Sequence, residues 1–305
     1  MRPAAHGADD TSGYCLPPQV FTIDTLPAVG SAPASSLDTM GLPPLSARSR
    51  QLARAYGLGP GLRQLRQPAQ PGLAPGDAAQ RAFIRQREAL VLQVVQASGD
   101  ALRVAEELEC ERQRADQAAL ALQGQQTKRT RNFTLGSLLA GAASGVISAT
   151  VLAEDRANLN LVLTVSTAAL SAGLGVATLF VNPQLNYPIR RNLLADIWYQ
   201  RPRPALYPPG LWATLNEVRV GRPGSAAPAP LQTIRRRWAQ YDQLTSGKPA
   251  QQAQQLALYF GAGGNYHADD LHTRAAMLTQ LEVMVRLVNQ DLQKLLVEVS
   301  NTEPQ

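Results

Sequence analysis

The segment "NYHADDLH" gathers His267, Asp269, Asp270 and His272. Imidazoles and carboxylates together are the ligand types of a transition-metal site. The same residues open a helical pattern, where Asp is expected as cap and as partner of the helix dipole. The spacing therefore reads as a helix start, and no metal ligand is assigned. "FGAGGN" is glycine-rich, but no strand precedes it and no Lys-Ser/Thr follows, so it reads as a flexible turn rather than a phosphate cradle. "IRRRW", residues 234–238, carries three cations of the kind that meet phosphates, although a solvated helix face accounts for them. The chain has three His and no G-x-S-x-G, so no Ser or Cys acquires a basic partner from the sequence. No pair of buried carboxylates suggests itself either. The expectation is a protein that is not an enzyme, with no catalytic residue, no cofactor and no small-molecule substrate.

The two cysteines, Cys15 and Cys110, are too few for a disulfide framework. Cys110 falls inside a helical pattern. Tyr14 precedes Cys15, and "MRPAAHGADDTSG" has no apolar core, so neither a lipoprotein signal nor a signal peptide is read there. A lipid-anchored envelope protein would need an upstream start.

The elements that would have to position any site are helical. Hydrophobic residues make up 45% of the 305 and aromatics only 5%, and abundant Ala, Leu, Gln and Arg favour helix over strand. The 22 Pro and 23 Gly crowd into residues 1–76 and 183–230 and divide the chain. Residues 1–76 have the composition of a disordered segment, apart from a weak helix near Ser46–Tyr56. A long helix is expected from Asp77, as N-cap, to residue 127. Apolar residues recur at Ile84, Val91, Val94, Ala101, Ala105, Leu108, Ala115, Ala119 and Leu122, with Arg87, Ser98 and Arg112 interrupting the seam. A helix roughly 65–70 Å long needs a partner.

Residues 133–153 and 159–181 contain no charged residue, and each is about long enough to cross a hydrocarbon core as a helix. Gly141 and Gly145 form GxxxG; Ala169 with Gly173, and Ser171 with Gly175, form small-xxx-small pairs that suit close helix packing, a glycine zipper. Residues 128–191 are therefore expected to hold a two-helix hairpin. Lys128, Arg129 and Arg131 precede it, Arg190 and Arg191 follow it, and the link carries one basic residue. By the positive-inside rule both termini are cytoplasmic.

The net charge of +6 and pI near 9.6 suit anionic lipid here, because the cations flank the apolar runs and no nucleic-acid-binding signature is present. Residues 192–247 mix Trp198, Tyr199, Tyr207 and Trp212 with Arg201 and Arg203, as a membrane interface does. There "IRRNLLADIWY" would lie flat on headgroups with Ile189, Leu193, Leu194 and Ile197 on one side, and 219–230 is a linker. A small packed core would use the same residues. In 248–305, Leu271, Leu278, Val285, Leu292 and Val299 are seven apart, as are Leu281, Val288 and Leu295, with Met277 and Met284 widening the stripe. That seam, centred on Leu278, Leu281, Val285, Val288 and Leu292, calls for the 77–123 helix or the same helix of another subunit as partner.

The fold class expected is mainly α: long coiled-coil helices flanking a glycine-rich hairpin that spans, or can enter, a membrane. The function expected is that of an integral membrane protein serving as a structural or interaction module. Its partners would be the bilayer and either itself or another helical protein, with no nucleic acid. The order of long helix, apolar hairpin and further helices over residues 77–300 also resembles α-helical pore-forming toxins of the haemolysin type. That resemblance implies a helical bundle that hides an insertable hairpin. The Pro-rich stretch 183–230 interrupts the second long helix of such a bundle.

Overall fold

A computed structural model of the chain describes residues 45–65, 77–152, 182–220, 226–240, 244 and 248–303, without the side chains of 136–152, 219–220 and 226–227. The described residues are mainly helical. They form α1 (Ala47–Ala55), α2 (Gly59–Leu65), α3 (Asp77–Leu152), α4 (Leu193–Tyr199), α5 (Pro209–Asn216), α6 (Pro230–Ala239), α7 (Pro249–Phe260) and α8 (Ala268–Ser300). The short strands β1 (Leu185–Pro188) and β4 (Gly263–Tyr266) pair with each other. β2 (Arg219–Val220) and β3 (Ala226–Ala227) form an antiparallel pair with Arg219 opposite Ala227. The chain divides into two compact units, one of residues 1–113, 189–263 and 274–305, the other of 114–188 and 264–273.

In the first unit, α1 lies where a weak helix is expected near Ser46–Tyr56, and α2 adds helix in residues for which none is expected. Ser46 caps α1 by accepting a hydrogen bond from the Ser49 N–H at 3.2 Å. At the other end Gly57, at φ 68°, donates to Arg54 O, and Leu58 N–H reaches back to Ala53 O at 2.8 Å. This is a Schellman ending, with Leu58 and Ala53 both buried behind it. Leu52, Tyr56, Leu58, Leu62 and Leu65 then enter the core.

No proline stands between Pro75 and Pro183, and α3 accordingly runs on past residue 127 as 76 residues of helix, about 114 Å. Its buried face begins with Leu90, Val94, Ala97, Ala101, Val104, Ala105 and Leu108, so the expected Ile84 and Val91 lie at its margin, half-buried. α8 lies antiparallel to this part of α3. The residues that interrupt the α3 seam meet polar groups there: Ser98 donates to Asn289, Arg112 approaches Glu282 at 3.9 Å, and Arg87 reaches Ser300 O at 3.5 Å.

Prolines begin three of the later helices. Pro209, Pro230 and Pro249 each stand at the first position of α5, α6 and α7, where a missing N–H costs nothing. The segment expected to lie flat on a membrane packs inward: Ile189, Leu193, Leu194 and Ile197 are buried. Tyr207, Trp212, Trp238, Tyr259 and Phe260 are buried as well. Trp198 stacks on Phe260 with centroids 4.6 Å apart and planes at 8°, and Tyr207 lies against Trp212 at 5.4 Å. Aromatics here build a core rather than an interfacial belt; Tyr199 alone of this group is more than half exposed, at 52%.

In the second unit β1 and β4 bring Tyr187 edge-on to Tyr266 at 5.8 Å, and the Arg114 guanidinium sits 5.7 Å from the Tyr187 ring centre.

Candidate interaction surfaces

The expected C-terminal seam is wholly inside the protein. Leu278, Leu281, Val285, Val288 and Leu292 are fully buried, as are Leu271, Leu295, Val299 and Met277, while Met284 is half-buried. Around it run ion pairs between α3 and α8. Arg286 meets Glu109 of α3 at 2.5 Å and, within α8, Glu282 at 2.7 Å; Glu282 first and then Glu109 hold the Arg286 guanidinium above its ordinary range, with burial opposing them.

The basic residues expected beside a membrane have different surroundings. Lys128, Arg129 and Arg131 are exposed on α3, and Arg190 is exposed just before α4. Arg191 is instead an intramolecular partner: its Nε lies 2.7 Å from Glu107 Oε1 and its Nη2 3.3 Å from Oε2. Glu107 is only 9% exposed, so the fork supplies the countercharge that a buried carboxylate needs. The glycine positions Gly141 and Gly145 have no described surroundings, and Ala169, Gly173 and Gly175 lie outside the described residues. Most of the apolar hairpin therefore falls there too. Among the described residues, no helix is long and apolar enough to cross a membrane.

The histidine segment forms a helix start. The His267 backbone N–H donates to Asp270 Oδ2 at 3.0 Å, one half of a capping box, and the His267 ring contacts Gln184 at 2.8 Å. His272 Nδ1 lies 3.5 Å from Asp116, and its other ring nitrogen 3.0 Å from the Gln123 amide. Among the described residues no three His, Cys, Asp or Glu side chains are placed to hold a metal ion. The glycine-rich turn is more ordered than expected. Gly263–Tyr266 is strand β4, and a Cβ at Gly261 would lie 2.3 Å from Ala257 O. In "IRRRW", Arg235 lies over the Trp198 ring at 5.9 Å, while Arg236 and Arg237 are exposed.

Sequence reasoning missed the polar groups inside the first unit. Arg274 is fully buried on α8; its Nη1 donates to Tyr259 O at 2.9 Å, and Nε and Nη2 meet no protein partner among the described residues. Asn192 caps α4 and also donates to Tyr259 O and Gly261 O at 2.9 and 2.8 Å. Tyr207 donates to Leu193 O at 2.7 Å. Burial, then the charges of Asp196 and Glu107, push its hydroxyl well up, which keeps it a neutral donor. Tyr56 is pushed up in the same way by burial and by Asp100, with Arg48 opposing. Tyr207 serves packing and hydrogen bonding, whereas the buried Tyr56 hydroxyl meets no hydrogen-bond partner among the described residues. The chain matches no known protein family, no curated protein and no solved structure.

Proposed function

We propose that this is a non-enzymatic membrane protein whose helical body serves as a structural or interaction module. In this reading the charge-free runs 133–153 and 159–181 form a two-helix hairpin in the bilayer. Both termini face the cytoplasm, and the flanking helices pair as a coiled coil. The observation that carries it is the continuity of α3. One unbroken helix leads from the packed face at Leu90–Leu108, past the exposed Lys128, Arg129 and Arg131, into the uncharged sequence up to Leu152. A helix leaving a folded body through a basic collar into apolar sequence suits entry into a bilayer.

The topology is tested by thiol labelling. In a chain with Cys15 and Cys110 replaced by Ser, a cysteine at Asn158 should react with an impermeant reagent outside intact cells, and cysteines at Gln125 or Asn301 should not. External labelling at Gln125 or Asn301 would contradict the proposal. Labelling at Asn158 only after a change of conditions would instead favour a hairpin inserted on a trigger.

A further inference from the structure

We infer that residues 126–135 of α3 form a recognition surface for anionic phospholipid headgroups; this rests on the membrane reading above. From Gln117 to Ala153 the chain has no acidic residue, and its only charges are Lys128, Arg129 and Arg131. All three are exposed, and none makes an ion pair among the described residues. The nearest carboxylate upstream, Asp116, lies beside His272. Three cations within four residues, with no local countercharge, carry a positive field that a negative surface neutralises.

The same stretch places these cations beside an open surface. Gln126, Thr127, Thr130, Arg131, Thr134 and Leu135 line an open groove of about 560 Å³. Thr127 and Thr134 donate their hydroxyl protons to the carbonyls of Gln123 and Thr130, each at 2.9 Å. The lining is mostly apolar, and the Arg131 guanidinium, the Thr130 hydroxyl and the Gln126 amide are the donors along it that could meet a phosphodiester. Leu135, half exposed at 51%, supplies an apolar edge toward the uncharged run. RNA would meet the same cations. A stacking ring is what RNA would add, and Phe133 is the sole aromatic residue from Gln117 to Ala153.

The test is flotation of the full chain, made by cell-free synthesis with vesicles of phosphatidylcholine alone or with one third phosphatidylglycerol. The readout is the lipid concentration that floats half of the protein. Phosphatidylglycerol should lower that concentration for the wild type by roughly a hundredfold, about fivefold per cation. Lys128→Gln/Arg129→Gln/Arg131→Gln should abolish the shift, and Lys128→Arg/Arg129→Lys/Arg131→Lys should retain it. If wild type and the triple Gln variant float alike on both vesicles, the headgroup surface is wrong while the membrane reading stands. If the wild type floats on neither, both fall. If the triple Gln variant loses retention on immobilised RNA but keeps the lipid shift, the surface belongs to RNA and the inference is overturned.

Discussion

Ser98 on α3 donates a hydrogen bond to Asn289 on α8, and Asn289 is only 6% exposed, next to the buried Val285, Val288 and Leu292. A polar pair at such a position fixes which residues of two helices meet, at some expense in stability.

Removing one partner should therefore cost more than removing both. Asn289→Ala is expected to destabilise by about 1–2 kcal/mol, through the lost bond and the space it leaves. Asn289→Leu with Ser98→Ala should recover most of that loss. Urea unfolding of the wild type, Ser98→Ala, Asn289→Leu and the double variant measures the coupling, expected at roughly 0.5–1.5 kcal/mol. Additive effects would mean the pair does not act as a unit.

The packing of the 45–65 segment rests on a missing side chain. A Cβ at Gly210 would lie 2.3 Å from Tyr56 Cδ1, and the Tyr56 ring is itself buried, so it has little room to move. Gly210→Ala should cost about 1–3 kcal/mol. At Gly99, inside α3, an added Cβ meets nothing within 4 Å. Gly99→Ala should thus gain about 0.5–1 kcal/mol from helix propensity. Thermal melts of the two variants should move in opposite directions; a shift of the same sign in both would refute the packing described.

Burial raises the Asp100 carboxyl above its ordinary value of 3.8, with Arg103 opposing. A carboxyl raised on folding favours the folded state most at low pH. That contribution fades as pH rises from 3.8 through the folded-state value. At neutral pH the charged form is thus held at a cost. Asp100→Asn is expected to raise the melting midpoint at pH 7, with the gain shrinking toward pH 4. A gain that grows on acidification would contradict this.

These relationships differ in how far the sequence exposes them. The start of α3 at Asp77 and the buried stripe of α8 are local signals, a cap-type residue and a seven-residue spacing, and both are legible. The role of Ser98 as a seam interruption is legible too, but its partner Asn289 lies 191 residues away. Helix α1 is faintly legible as the weak helix near Ser46–Tyr56, whereas α2 is obscured because a Gly- and Pro-rich composition outweighs its few apolar residues. The "AYGL" ending at Gly57 was the available clue. The Trp, Tyr and Arg mixture after residue 187 fits an interface and a small core equally well. What separates them is the stacking of Trp198 on Phe260, a contact across 62 positions that no local pattern encodes. Arg191 could not be told from Arg190 for the same reason, since Glu107 is remote in sequence.

We propose above that residues 133–181 anchor the protein in a bilayer. Alkaline carbonate extraction of membranes from cells expressing the full chain measures this most directly. The protein is expected to stay in the pellet after carbonate and to leave it only with detergent. Quantitative release into the carbonate supernatant would contradict it.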